Sequence, residues 1–192
     1  RNHCVCSKTV FLSRKRKCMC AIYPILLNSK YNVDYHVRAF NKLCTMLKGY
    51  VSKIIVSFVD DYKNVRNNHL DYHEPSNEEY LKLKEAFEKN DMKIVSCMEN
   101  KYHIGDEKDC CISIKYAFER TGKLFKEWKA RDCHCVNMVD VGAYNSCLHG
   151  CKYCYANFDS KQIVSNYKMH DVNSSLLIGH LNLDDQVKIR RK

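Results

Sequence analysis

The sequence predicts an α/β protein, on three observations. Apolar stripes of helical period alternate with short apolar runs rich in β-branched residues. Each run ends on charged or polar residues. The resulting order is strand, helix, strand, helix, strand rather than a block of either kind. No repeat of fixed period interrupts that alternation.

Taken in order, residues 1–20 are basic and cysteine-rich, with no clear period. From Val33 onward, Val33, Val37, Phe40, Cys44 and Leu47 fall on one helical stripe, and Gly49 supplies the stop. Ile54, Ile55, Val56 and Phe58 then form an apolar run ending at Asp60 and Asp61, which reads as a buried strand of a parallel sheet. Residues 64–75 are polar and loop-like. Ser76 or Asn77 caps the next helix, with Glu79 in capping-box position to Ser76, and that helix turns Tyr80, Leu83 and Phe87 inward. Residues 92–98 read as a second strand, 112–120 as a weaker helix, and 136–141 as a third strand. A short helix and a tail follow. The chain thus divides into a basic segment over 1–20, an α/β domain over 21–180 and a basic tail over 181–192.

A chain of 192 residues, 45% apolar and 28% charged, buries a core without needing cross-links. It shows neither a signal-peptide apolar region nor a run of membrane-spanning length, which points to the cytoplasm. The thirteen cysteines are an odd number in a chain too long for a stapled scaffold, so they argue for metal or redox chemistry over disulfides. Cys44 and Cys97 stand alone and read as small buried hydrophobes. The net charge of +10 attracts polyanions, and much of it sits in Arg14-Lys15-Arg16-Lys17 and Lys188-Ile189-Arg190-Arg191-Lys192. Such runs are ordinarily solvated tails. Nucleic acid is the partner they would suit, through non-specific attraction.

The chemistry concentrates in Cys147, Cys151 and Cys154, spaced C-x3-C-x2-C. Three thiolates in one tight loop hold three irons of a four-iron cluster and leave the fourth open to another ligand. Gly150 lets the backbone fold closely round such a cluster. Two other readings share these residues. Cys151 and Cys154 alone spell the C-x-x-C of a thioredoxin-like dithiol, for which the third cysteine is superfluous. Structural zinc is the stronger rival, because Cys133 and Cys135 lie shortly upstream and zinc closes a tetrahedron of four Cys or His ligands. Cys133, Cys135 or His149 would equally serve as a fourth cluster ligand, and the bland alternative is that Cys133 and Cys135 pack nearby. Cys4-Val5-Cys6 and Cys18-Met19-Cys20 also have zinc-site spacing, yet the basic run between them opposes a cation. Asp60, Asp61, Tyr62 and Lys63 follow a strand end, where α/β folds place functional groups or merely cap the strand.

Residues 31–49, Ile55-Val56-Ser57-Phe58-Val59-Asp60-Asp61-Tyr62-Lys63, 139–157 and His170-Asp171-Val172-Asn173-Ser174-Ser175-Leu176-Leu177-Ile178-Gly179 carry a resemblance to a known family. The chain resembles the domain of unknown function 1848 family of bacterial and archaeal proteins, whose C-terminal cysteine cluster is similar to that of radical S-adenosylmethionine enzymes. The likeness runs from about Pro24 to Gly179 and is most specific over Tyr144…Cys147…His149-Gly150-Cys151…Tyr153-Cys154-Tyr155-Ala156, which is also similar to the loop of spore photoproduct lyase-like proteins.

The resemblance implies a [4Fe–4S] cluster on Cys147, Cys151 and Cys154. Tyr153 would contribute to cofactor binding, S-adenosylmethionine would sit at the open iron, and an electron donor would be the partner. Family members are longer, and a barrel of this class needs about 250 residues. The implied fold is therefore a partial (β/α) barrel, the C-terminal portion of a radical S-adenosylmethionine-like or TIM-type barrel, and activity in this truncated form is left open. Where the family carries Arg-Tyr-Asp-Pro-Ile, this chain has Ala21-Ile22-Tyr23-Pro24-Ile25. Its six glycines include no adjacent pair, so the Gly-Gly-Glu type segment that holds the methionine moiety is absent. The competing class of function is a non-catalytic zinc or cluster module that binds a partner such as nucleic acid.

Overall fold

In the computed structural model, residues 18–97, 99, 101–106, 110–129, 133–139 and 142–188 are described. Cys4, Cys6, the basic run at 14–17 and residues 189–192 lie outside them, as do Asp140 and Val141. The chain divides into two compact units. The first comprises residues 1–59 and 71–138, the second residues 60–70 and 139–192.

The first unit is built on a parallel sheet of three strands in sequential order, β1 (Cys18–Ile25), β2 (Val51–Phe58) and β3 (Ile94–Ser96). The sheet is open, and no closure into a barrel occurs among the described residues. Central β2 holds Ile54 and Val56 fully buried and Ile55 nearly so, as expected of a parallel strand covered on both faces. Its crossovers are helical. Helix α1 (Val33–Leu47) begins at Asn32, whose side chain accepts the Tyr35 N–H at 3.0 Å, and it buries Phe40 and Cys44 along the stripe read from the sequence. Helix α3 (Asn77–Glu88) has the complete Ser76–Glu79 capping box and buries Leu83 and Phe87. The Phe40 and Phe87 rings stack at 3.8 Å, joining the two helices over the core. Helix α4 (Ile114–Thr121) starts at Ser113 and ends at a left-handed Gly122.

Three departures from the sequence reading have physical causes. Strand β1 has no counterpart in the sequence reading, and it carries Pro24, a residue uncommon in strands. An edge position tolerates it, and the register with β2 is irregular between Ile22 and Ile25. Residues 136–139 do not form a sheet strand. Val136 makes only an isolated antiparallel bridge with Glu127, because its neighbourhood pairs locally. Trp128 N donates to Cys135 O at 2.8 Å, Asn137 N to Lys126 O at 2.7 Å, and Val136 N to Ile112 O at 2.9 Å. Third, the strand expected at 92–98 is cut to three residues. Gly105, at φ +90°, approaches so closely that a Cβ there would lie 2.1 Å from Ile94 O.

The second unit holds two helices, α2 (Lys63–Asn67) and α5 (Ser160–Lys168), and a long run of turns between residues 142 and 159. Helix α2 lies inside a stretch read as loop. It is one polar turn in which only Asn64 and Val65 are buried, too short for a period to register. No helix among the described residues is long and apolar enough to cross a membrane.

Candidate functional site

Cys147, Cys151, Tyr153 and Cys154 lie together in the turns of the second unit, with Cys147 exposed and the other two cysteines half-buried. The loop is closed at its neck, where Asn145 N donates to Ala156 O at 2.8 Å. Inside it, Cys154 N donates to Cys151 O at 3.1 Å, folding the C-x-x-C pair into a single turn. Gly150 sits at φ +64° with open space where a Cβ would be. Its lack of a side chain serves the left-handed backbone, and no neighbouring atom among the described residues requires the space.

Four buried asparagines, Asn64, Asn145, Asn157 and Asn166, hold this loop. Asn145 adopts the left-handed region at φ +53°, which Asn tolerates better than most residues. Its Oδ1 accepts from Phe158 N at 2.8 Å and Asp159 N at 3.1 Å. Asn157 Nδ2 donates to Cys147 O at 2.7 Å. Asn64, on α2, donates through Nδ2 to Cys154 O at 2.9 Å and to Asn157 O. Asn166, on α5, donates to Asn145 O at 3.0 Å, and Asn68 donates to Lys152 O at 3.3 Å. Backbone carbonyls of both outer cysteines are thus fixed by side-chain amides. In a loop without a regular ladder, these amides satisfy carbonyls that burial would otherwise strand.

These asparagines were missed in the sequence. Asn145 and Asn157 bracket the cysteine motif at each end, which is the one signal available there. Asn64 had none, since a polar stretch of chain conceals a buried amide.

The aromatic surroundings are exposed. The Tyr155 ring lies 5.8 Å from Tyr62 and 6.5 Å from Tyr144, which in turn lies 6.2 Å from Phe158. Burial pushes the Tyr153 phenol above its ordinary value. The Cys151 and Cys154 sulfurs push the same way. The acidic pair after β2 is engaged locally. Asp60 accepts from Tyr62 Oη at 2.7 Å, and Asp61 pairs with Arg66 at 2.7 Å.

Cys133 and Cys135 belong to the first unit and meet other cysteines there. The Cys135 sulfur is influenced by those of Cys111, Cys133 and Cys110, and the Cys111 sulfur by that of Cys97, so these thiols are neighbours. Cys97 is therefore not the isolated hydrophobe that the sequence suggested. Cys44 is one: burial pushes its thiol up to about 11. Cys44, Cys97, Cys110, Cys111, Cys133, Cys135, Cys147, Cys151 and Cys154 form no disulfide. Among the described residues, no group of three or more His, Cys, Asp or Glu side chains is placed to hold a metal ion.

Three soft thiolates arise from eight consecutive residues on a backbone anchored from behind, and thiolates suit iron–sulfur and zinc over hard cations. A family model described as Domain of unknown function (DUF1848) matches residues 12–156, which contain all three cysteines and end short of the 170–179 stretch. No curated protein and no solved structure matches the chain.

Proposed function

Taking as premise that the chain belongs to the DUF1848 family, a domain of unknown function, we propose that Cys147, Cys151 and Cys154 hold a [4Fe–4S] cluster in the manner of radical S-adenosylmethionine enzymes. The asparagine-clamped loop carries this reading. Asn157 and Asn64 hold the Cys147 and Cys154 carbonyls, so the side chains are the part left to adjust. Fixing the backbone before the metal arrives reduces the ordering cost of binding. When bound, such a cluster supplies an electron and an open iron at which S-adenosylmethionine is the natural ligand.

The chain's own residues have separable parts in this reading. Tyr153 stands between Cys151 and Cys154 in the turn, where a polar group beside the sulfurs would tune the electronics of a bound metal. Gly150 permits the reversal between Cys147 and Cys151. Tyr62, Tyr144 and Tyr155 offer an exposed aromatic face beside the cysteines, suited to stacking on a planar ligand.

Anaerobic purification followed by iron, sulfide and zinc analysis tests the reading. Iron and sulfide should be present in near-equal amounts, lost in Cys151→Ala and kept in Cys44→Ala. Full iron retention by Cys151→Ala would show the ligands to be wrong. Zinc that disappears with Cys151→Ala, without sulfide in the parent protein, would replace the cluster by a zinc site. Cleavage of S-adenosylmethionine after reduction indicates an enzyme. A cluster without cleavage indicates a module that binds a partner, with an electron donor or nucleic acid as the candidates.

A further inference from the structure

Four exposed rings of the second unit form one continuous string. Tyr62 lies 5.8 Å from Tyr155, Tyr155 lies 6.5 Å from Tyr144, and Tyr144 lies 6.2 Å from Phe158. All four belong to the same compact unit, although they come from two stretches of chain. Tyr144 and Tyr155 are each 62% exposed, Phe158 56% and Tyr62 39%, so every ring in the string is open to solvent. Contiguous exposed apolar surface of this kind marks a binding face. The interplanar angles are 46°, 86° and 48° in that order. No pair is stacked face to face, so the rings do not use up one another's π faces and a planar group can lie on them.

The charges beside the string suit an anion. The carboxylates that adjoin a ring in the chain are already engaged. Asp60 accepts from Tyr62 Oη, Asp61 pairs with Arg66, and Asp159 Oδ1 accepts the Lys161 and Gln162 N–H groups at the start of α5. Three lysines are available. Lys63 follows Tyr62, Lys152 precedes Tyr155 and Lys161 follows Phe158; all are exposed, and none has an ion-pair partner among the described residues. Asn68 Nδ2 donates to the Lys152 carbonyl, which sets Lys152 beside the end of α2, the helix that begins at Lys63.

We propose that this string is a docking surface for single-stranded nucleic acid, with bases stacking on Tyr62, Tyr144, Tyr155 and Phe158 and phosphates meeting Lys63, Lys152 and Lys161. Every base has a π face, so such a surface tolerates any sequence. A duplex does not fit it, because paired and stacked bases cover one another's faces. A polyanion without bases accounts for the lysines and leaves the rings unused. The surface rests on the aromatic face already assigned in the proposed function, and it needs no metal.

The test is fluorescence anisotropy of the full chain, purified anaerobically, with labelled oligo(dT) and oligo(U) of about twelve nucleotides, within the usual range of single-strand sites. Both should bind, and the tighter of the two identifies the preferred sugar. The oligo(dT) annealed to its complement should bind more weakly. Tyr144→Ala and Tyr155→Ala should each weaken single-strand binding by about fivefold to a hundredfold, whereas Tyr155→Phe should keep it. Lys63→Gln and Lys152→Gln should each lower the slope of log affinity against log salt by about 0.7. Tyr50→Ala removes an exposed ring of the first unit and should change nothing. Single-strand binding unchanged in both Tyr144→Ala and Tyr155→Ala, or a duplex held as tightly as the single strand, would overturn the surface and leave only attraction to the basic ends. Equal losses in Tyr155→Phe and Tyr155→Ala would overturn stacking. Iron and sulfide measured on the same preparations separate this surface from the cluster. Metal-free protein that binds the oligonucleotide sinks the cluster alone, and metal-loaded protein that does not bind it sinks the surface alone.

Discussion

Replacing Asn145 by Ala should loosen the cysteine loop by about 3 kcal/mol. Its Oδ1 accepts two backbone N–H groups, Phe158 at 2.8 Å and Asp159 at 3.1 Å, from a side chain only 7% exposed. Each such bond contributes about 1 kcal/mol net, so their loss accounts for about 2 kcal/mol. The residue also sits at φ +53°, where Ala is disfavoured by about 1 kcal/mol more than Gly. Gly should therefore cost about 2 kcal/mol, and the difference between Ala and Gly isolates the backbone term. Asp keeps the acceptor and tolerates the conformation, so its cost should be well under that of either. The only tryptophan, Trp128, reports on the first unit, so the assay must be local. Amide hydrogen exchange of peptides covering residues 144–159 serves. About 3 kcal/mol corresponds to exchange roughly a hundredfold faster at Phe158 and Asp159. Exchange in Asn145→Ala within twofold of the parent, or no difference between Ala and Gly, would refute the argument that the side chain and its left-handed backbone hold the loop.

Three further outcomes follow from the first unit. Burial holds the His36 imidazole below its ordinary value of 6.5, against the opposing hydrogen bond to Leu26 O. With the folded value depressed, the unfolded chain takes the proton first, so stability declines as pH falls below 6.5 and levels off beneath the folded value. Urea midpoints from Trp128 fluorescence at pH 7.5 and 5.5 should show this decline, and His36→Gln should flatten it. Gly105→Ala should cost more than about 3 kcal/mol by the same assay, since it combines φ +90° with a Cβ against the Ile94 carbonyl. Phe87→Ala removes a ring that is 2% exposed and stacked on Phe40, and should cost about 3–5 kcal/mol.

Some elements were legible in the sequence because a single local rule determined them. The Val33 to Leu47 stripe gave α1, the Ser76–Glu79 pair gave the start of α3, and the Ile54 to Phe58 run gave most of β2. Others turned on partners that no local rule displays. Strand β1 lies at the edge of its sheet and carries Pro24, and Val136 and Asn137 found hydrogen bonds with Ile112 and Lys126 in place of the sheet. The site shows the same contrast. Its cysteines announced themselves by spacing, and Gly150 by its place among them. The amides that restrain the loop looked like ordinary turn residues, because Asn is common in turns for reasons unrelated to burial. Cys97 appeared solitary since the thiols it meets are brought to it only by folding.

The second unit is discontinuous, and this bears on how it comes into being. Asn64 and Cys154, which share a hydrogen bond, are separated by 90 positions. At roughly 5–20 residues per second, a ribosome makes the first of them about 5 to 18 seconds before the second. Through that interval the buried Val65 and the Asn64 amide have been synthesised without the rest of their unit, while most of the α/β sheet segments have already emerged. The cysteine loop is therefore complete only once both segments of its unit have been made, and any metal it takes must wait for the later one.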